Sequence, residues 1–209
     1  MNSRKKLLLT ARAYAVIDKE VLGNASLIKR LGCIKSSKVD IVQLRDKVSS
    51  KKEVYRDALI CHKFFSKSKK LFIINDYVDI AALIDCDGIH LGQDDLPLKA
   101  VRKLLGRSKI IGISCHSLKQ ALEAQREGAD YISIGPVYAT PTKPEYKPVG
   151  LSLLAECAER IKLPFFAIGG VTPKTIDDCI AHGAARVAVC RAAFNKNDTL
   201  KIVTSLNKT

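Results

Sequence analysis

The sequence predicts an α/β protein, and more specifically a (β/α)8 barrel. Eight short apolar segments occur along the chain, and each is followed by an amphipathic stretch. The apolar segments are nearly continuous instead of alternating, which is typical of parallel strands buried on both faces. The 209 residues lie at the small end of the barrel size range. An open doubly wound sheet is the alternative arrangement of the same units.

The predicted strands share a core of Val, Ile, Leu, Phe and Ala. They are Ala13–Asp18, Val39–Leu44, Leu71–Ile74, Gly88–Leu91, Lys109–Ile113, Tyr131–Ile134, Pro164–Ile168 and Arg186–Cys190.

Helical patterns fill the intervals between the strands. Pro97–Gly106, Ser117–Gly128 and Thr172–Gly183 each place apolar residues on one face and end at a glycine. Ser117 is suited to cap the second of these helices. Because no linker, low-complexity segment or shift in composition interrupts the repeats, we expect a single domain over residues 1–209.

Composition excludes several classes of protein. The chain is 47% hydrophobic, which is too apolar for a disordered protein. No apolar run approaches the roughly 18 residues of a membrane span, so no membrane partner is expected. Arg12 interrupts the apolar run at Leu7–Leu9, too early for a signal peptide. Seven cysteines at irregular spacing, without a C-x-x-C pair, favour a reduced, cytoplasmic protein.

The net charge of +14 leaves two kinds of partner open, nucleic acid and small anionic substrates. Aromatic residues make up 6% of the chain, tryptophan is absent, and no nucleic-acid motif occurs. The basic residues are dispersed instead of gathered in one long run. The sequence therefore favours phosphorylated small molecules and no nucleic acid.

A barrel carries its chemistry at the carboxyl ends of its strands, and polar residues stand there in this sequence. After the second strand, alternation places Gln43, Arg45 and Lys47 on one side. Two cations and an amide in a barrel mouth are suited to bind an anion. The alternative, equally weighted on these residues alone, is a solvated strand end with Arg45 paired to a carboxylate.

Carboxylates follow the third and fourth strands. Asn75 and Asp76 end the third, and Asp95 follows the fourth. Each acid alone is explained by capping of the next helix or by its dipole. Together, beside Arg45 and Lys47, Asp76 and Asp95 form a plausible seat for a magnesium ion that carries a polyphosphate.

The last strand ends predict a second anion site. The loop after the sixth strand contains Thr140, Thr142 and Lys143, and the Gly169–Gly170 pair follows the seventh. Bare glycine backbone lets amides approach a ligand closely. Cys190 and Arg191 end the eighth strand, where barrels commonly bind phosphate.

These segments resemble the thiamine-phosphate synthase (thiamine-phosphate pyrophosphorylase) family, which is related to the thiazole tautomerases. The likeness covers almost the whole chain and is carried by VQLRDK, FIINDYVDIAALIDCDGIHLGQDDLP, IGISCHS, GADYISIGPVYATPTKP and FFAIGGVTP. It implies a (β/α)8 barrel that joins 4-amino-2-methyl-5-hydroxymethylpyrimidine diphosphate to 4-methyl-5-(2-phosphoethyl)thiazole or its carboxylate. Thiamine phosphate and diphosphate are the products, and the implied substitution is dissociative and assisted by magnesium.

The resemblance also implies a role for each matching residue. It makes Asp76 and Asp95 the ligands of one Mg²⁺ per subunit, and it suggests a homodimer. The implied pyrimidine diphosphate contacts are Gln43, Arg45, Lys47, Asn75, Ser114 and Lys143, of which Arg45, Lys47, Ser114 and Lys143 would be catalytic. The implied thiazole phosphate contacts are Thr140, Thr142, Gly170, Cys190 and Arg191.

Two features bear on this resemblance. Arg191 stands where many family members have serine, so its side chain would add a charge if backbone amides hold the phosphate. The related thiazole tautomerases, which need no metal–diphosphate seat, are the alternative. The complete set of Arg45, Lys47, Asp76, Asp95 and Lys143 favours the synthase.

Overall fold

A computed structural model of the chain describes residues 3–23, 25–142 and 146–208. Eight parallel strands close into a barrel in which each strand pairs with the next and β8 returns to β1. The predicted barrel is therefore confirmed, and the open sheet is excluded. The strands are β1 Ala13–Asp18, β2 Ile41–Arg45, β3 Leu71–Asn75, β4 Gly88–Leu91, β5 Ile110–Cys115, β6 Tyr131–Ile134, β7 Phe165–Ile168 and β8 Val187–Val189.

Helices surround the barrel and connect its strands. They are α1 Ser3–Thr10, α2 Lys19–Leu22, α3 Leu27–Lys35, α4 Lys51–Phe65, α5 Val78–Leu83, α6 Leu98–Leu105, α7 Leu118–Glu127, α8 Gly150–Arg160, α9 Ile176–Ala181 and α10 Lys196–Leu206, with a 3₁₀ helix over Arg191–Phe194. Ser117 caps α7 through the backbone N–H of Gln120, as predicted. Gly106 and Gly128 end α6 and α7 at positive φ, which glycine adopts without strain.

Three strands extend further toward the carboxyl end than the sequence predicts. β2 includes Arg45, β3 includes Asn75, and β5 includes Ser114 and Cys115. The reason is pairing, because Asp18 registers with Arg45, and Asn75 with His90. The polar side chains suggest that each strand ends before these positions. Backbone pairing with the neighbouring strand extends it instead. The side chains of the site are thus held by sheet backbone and not by free loops.

The barrel interior is apolar at one end and polar at the other. Tyr14, Ile41 and Leu71 register side by side near the amino ends of their strands, within an interior apolar cluster. Further along β4 and β5, the inward positions hold His90 and Ser114. The outward strand residues pack against the helices in a second, larger cluster. Polar groups therefore collect at the carboxyl end of the barrel.

The N-terminal helix α1 is not among the elements that the sequence predicts. Its single buried residue, Leu8, joins the interior cluster of the barrel. Arg4 Nε contacts Asp87 Oδ1 at 2.7 Å, and Lys5 Nζ contacts Asp130 Oδ1 at 2.6 Å. One buried position gives no helical periodicity to read, so tertiary contacts determine this helix.

Leu8 provides a first testable prediction. Leu8 is 2% exposed, so Leu8→Ala is expected to lower the free energy of unfolding by about 2–5 kcal/mol through lost burial and a residual cavity. Denaturant unfolding at equilibrium measures the change. Leu9→Ala is the matched control, because Leu9 is 47% exposed on the same helix and should change stability little. Equal effects of the two variants would contradict the placement of Leu8.

Within the described residues, none of the helices has the length and apolar character that a membrane span requires.

Candidate active site

A cavity of about 340 Å³ opens at the carboxyl end of the barrel. Its wall combines residues from strand ends and from the loops that follow them. Nine of the predicted site residues line it: Gln43, Arg45, Asn75, Ser114, Thr140, Thr142, Gly170, Cys190 and Arg191. The structure therefore brings these nine residues together around one cavity, although their functional roles remain predictions. Lys143 lies outside the described residues.

Arg45 is held by a carboxylate that the sequence analysis did not identify. Asp18, at the end of β1, is 1% exposed, and its Oδ2 accepts a hydrogen bond from Arg45 Nη1 at 2.5 Å. Its Oδ1 accepts from the backbone N–H groups of Glu20 and Val21, which caps α2. Arg45 thus pairs with a carboxylate, as the alternative interpretation predicts, and it also lines the cavity, while its contact with an anion stays a prediction. The end-of-strand rule applied to β1 would have found Asp18.

Lys47, Asp76 and Asp95 form a charged group at the ends of β2, β3 and β4. Lys47 Nζ pairs with Asp76 Oδ2. Asp76 adopts a φ of 61°, the left-handed region that non-glycine residues seldom occupy, and its N–H donates to His90 O at 2.9 Å. Such strain is concentrated at functional positions. Asp95 Oδ2 accepts from Gly92 N at 2.6 Å, which fixes the second carboxylate.

The two carboxyl groups perturb each other. Burial, and then the adjacent Asp95, raise the pKa of Asp76 to about 6 although Lys47 opposes the change. Burial acts to raise the pKa of Asp95 as well, but hydrogen bonds from Asp76 and from the Gly92 backbone outweigh it and lower that pKa. Burial also acts to lower the pKa of Lys47, yet its bond and charge interactions with Asp76 and Asp95 raise it. Two close carboxylates of this kind favour a shared proton or a cation.

The available ligands suit magnesium better than a metal whose ligands all come from protein side chains. Among the described residues, no group of three or more His, Cys, Asp or Glu side chains converges as metal ligands. Magnesium characteristically takes one or two carboxylates and completes its shell with phosphate oxygens and water. Asp76 and Asp95 supply that number.

The opposite side of the cavity is formed by hydroxyls and by a glycine turn. Thr140 Oγ1 accepts from Thr142 N at 3.3 Å, which holds the two threonines together. Gly169 and Gly170 have φ values of 92° and 68°. A Cβ on Gly170 would lie 2.6 Å from Tyr138 Cβ, so only glycine fits there. Arg191 is exposed and begins the 3₁₀ helix at the cavity rim.

The floor of the cavity contains polar side chains that the sequence analysis did not assign to a site. Tyr14, Tyr131 and His90 form hydrogen bonds inside the barrel and connect to Gln43 and Ser114. The alternation of inward and outward residues along each strand could have indicated these side chains, because Tyr14 and Gln43 both occupy inward positions. Their mutual contacts depend on the closure of the barrel and are invisible in the sequence.

The fold and the site define the class of protein, a barrel enzyme with charged groups gathered where its strands end. The model of the family described as thiamine monophosphate synthase matches residues 13–193, and the chain belongs to this family.

Curated relatives agree with the family. A thiamine-phosphate synthase from a Synechococcus strain is 46% identical over 160 residues, which is 77% of this chain and 45% of that relative. Another from Shouchella clausii is 42% identical over 179 residues, covering 85% of this chain and 86% of the relative. The chain spans about half the length of its Synechococcus relatives, at 45% and 56%.

A solved structure matches almost the entire chain. Thiamine phosphate pyrophosphorylase from Pyrococcus furiosus superposes with a TM-score of 0.85 at 26% identity, and the match covers 99% of this chain and 98% of that one. The likeness in fold therefore extends over the whole barrel.

Proposed function

We propose that the chain is a thiamine-phosphate synthase. It joins 4-amino-2-methyl-5-hydroxymethylpyrimidine diphosphate to 4-methyl-5-(2-phosphoethyl)thiazole or its carboxylate, and it releases diphosphate. The observation that carries the proposal is the presence, at one barrel mouth, of two groups of residues suited to bind anions. Lys47 pairs with Asp76 and interacts with Asp95 at the ends of β2 to β4. Arg45 lines the cavity, as do Gly170 and the threonine loop on its other side. A tautomerase that binds only the thiazole phosphate has no use for the first of these groups.

In this proposal the pyrimidine occupies the floor, and its diphosphate extends toward the ends of β2 to β4. Gln43 and Ser114 contact the ring, while Arg45, Lys47, Asn75 and Lys143 contact the diphosphate. Asp76 and Asp95 would hold one Mg²⁺, which supplies positive charge beside the leaving diphosphate when it is bound. Arg45 is presented in a fixed orientation because Asp18 holds one of its nitrogens.

The reaction needs stabilisation of a leaving group more than it needs a base. The bond between the pyrimidine methylene carbon and the diphosphate oxygen breaks, and the electron pair leaves with diphosphate. The thiazole nitrogen then donates its lone pair to the methylene carbon, which closes the new C–N bond. Arg45 and Lys47 face the charge that develops on the leaving oxygens, and preorganised cations lower such a barrier.

The thiazole phosphate is oriented by Thr140, Thr142 and the backbone at Gly170 and Cys190. Arg191 adds a cation at the rim. This placement brings the thiazole toward the pyrimidine from the opposite side of the same cavity. The proposal also retains four expectations from the sequence. They are a cytoplasmic location, a single domain over residues 1–209, a homodimer and the absence of a nucleic-acid partner.

A direct assay tests the function. With both substrates and Mg²⁺, we expect thiamine phosphate and diphosphate in equal amounts, detected by chromatography. Chelation with EDTA should stop product formation, and added Mg²⁺ should restore it. Omission of either substrate is the control. Interconversion of the thiazole tautomers without thiamine phosphate would replace the synthase with the tautomerase activity.

A further inference from the structure

Five side chains link into a continuous hydrogen-bond chain across the cavity floor, from β2 to β5. Gln43 Nε2 donates to the Tyr14 hydroxyl at 2.5 Å, and that hydroxyl lies 2.9 Å from the hydroxyl of Tyr131. The Tyr131 hydroxyl lies 2.9 Å from His90 Nδ1, and His90 Nε2 lies 2.9 Å from Ser114 Oγ. Gln43 and Ser114, the two ends of this chain, both line the cavity.

The barrel is shaped to hold the middle of this chain. Tyr131 is fully buried and Tyr14 is 2% exposed. A Cβ on Gly112 would lie 2.0 Å from Tyr131 Cζ, so glycine at this position makes room for the phenol to cross the lumen. Phe166 packs edge-on against both tyrosine rings, with centroid distances of 5.4 and 5.7 Å. The hydroxyls therefore have little freedom to seek other partners.

The direction of the chain follows from counting protons. Each phenol has one proton to donate, and a neutral imidazole has one donor nitrogen and one acceptor nitrogen. Gln43 Nε2 donates to Tyr14. If every phenol proton is to have a partner within the chain, the Tyr14 proton goes to Tyr131 and the Tyr131 proton goes to His90 Nδ1. The imidazole proton then resides on Nε2 and is donated to Ser114.

The two ends consequently have opposite hydrogen-bonding character. With one N–H donated to Tyr14, Gln43 has its amide oxygen left as an acceptor for a ligand in the cavity. In the arrangement with the imidazole proton on Nε2, Ser114 Oγ accepts from His90 and also from Ser133 Oγ at 3.5 Å, so its own proton is left for a ligand.

We propose that Tyr14, Tyr131 and His90 are positioning residues that fix Gln43 as an acceptor and Ser114 as a donor. The pair then selects a 4-aminopyrimidine over its 4-oxo counterpart. An amino group donates and the adjacent ring nitrogen accepts, whereas the oxo form accepts at the first position and carries N–H at the second. The identity of the ligand rests on the proposed function. The direction of the chain does not.

The selectivity is tested by binding, without turnover. Calorimetric titration of the protein with the aminopyrimidine diphosphate and with its 4-oxo analogue should give dissociation constants that differ at least about 100-fold, because two buried hydrogen bonds are inverted. Tyr131→Phe keeps the ring and cuts the chain, so it should reduce that ratio about tenfold or more. Tyr14→Phe should act in the same direction. Tyr55→Phe, on the exposed part of α4, is the control and should keep the wild-type ratio.

A second measurement tests the direction itself. In protein labelled with ¹⁵N-histidine, the His90 signals, assigned by their loss in His90→Asn, should show the proton on Nε2. A proton on Nδ1 would overturn the proposal, as would a Tyr131→Phe variant that folds and retains the full binding ratio. The wild-type protein could show the expected ratio of dissociation constants and the proton on Nε2, yet make no thiamine phosphate. That result would refute the proposed activity alone and support the positioning role.

Discussion

Asp76→Asn and Asp95→Asn are each expected to lower kcat/KM for thiamine phosphate formation by about a thousandfold, because metal charge stabilisation amounts to several kcal/mol. Each substitution keeps the shape of the side chain and removes one of the two carboxylates that adjoin Lys47. Steady-state rates measured over a range of Mg²⁺ concentrations give the effect. Saturating Mg²⁺ should recover part of the loss, because the remaining carboxylate still binds the ion weakly.

Asp94→Asn is the matched control for this pair, since Asp94 is exposed beside Asp95. It should leave kcat/KM and the Mg²⁺ dependence unchanged. If Asp76→Asn and Asp95→Asn both kept wild-type rates after chelation with EDTA, the carboxylate pair would have no role in metal binding. The strained backbone at Asp76 would then need a different explanation.

The carboxyl-end residues could be predicted because one rule covers them all. In a parallel barrel every strand ends at the same rim, so polarity at the end of an apolar segment places a residue in the site even without a structure. Gln43 and Asn75 were both located in this way and line the cavity, as does Ser114, which the family resemblance supplied. Asp18 obeys the same rule, yet as the last residue of a strand it was assigned to the sheet alone.

Other features could not be predicted because they depend on distant contacts. The position of α1 depends on Leu8 inside the barrel and on ion pairs with Asp87 and Asp130, far away along the chain. The tyrosine–histidine chain requires side chains from β1, β4 and β6 to meet across the lumen. The sequence indicates inward-facing positions, but it does not show which inward residues face each other.

The pairing of Arg45 with Asp18 leads to the second large effect, this time on stability. Arg45→Met should lower the free energy of unfolding by about 3–5 kcal/mol, because it leaves the Asp18 carboxylate buried and without its cation. Lys47→Met is the comparison. The Lys47 side chain is 47% exposed, and loss of such a pair changes stability by about 1 kcal/mol or less. Denaturant unfolding of both variants measures the contrast.

A double variant separates the structural part of Arg45 from its chemical part. Asp18→Asn removes the buried charge, and asparagine can still cap α2 through its side-chain oxygen. The combination Asp18→Asn with Arg45→Met should therefore recover most of the lost stability, and the coupling between the two sites appears in the double-mutant cycle. Product formation should stay low in the double variant, because the cation that faces the leaving diphosphate is still missing. Recovery of both stability and activity would mean that Arg45 acts only as the partner of Asp18 and not on the substrate.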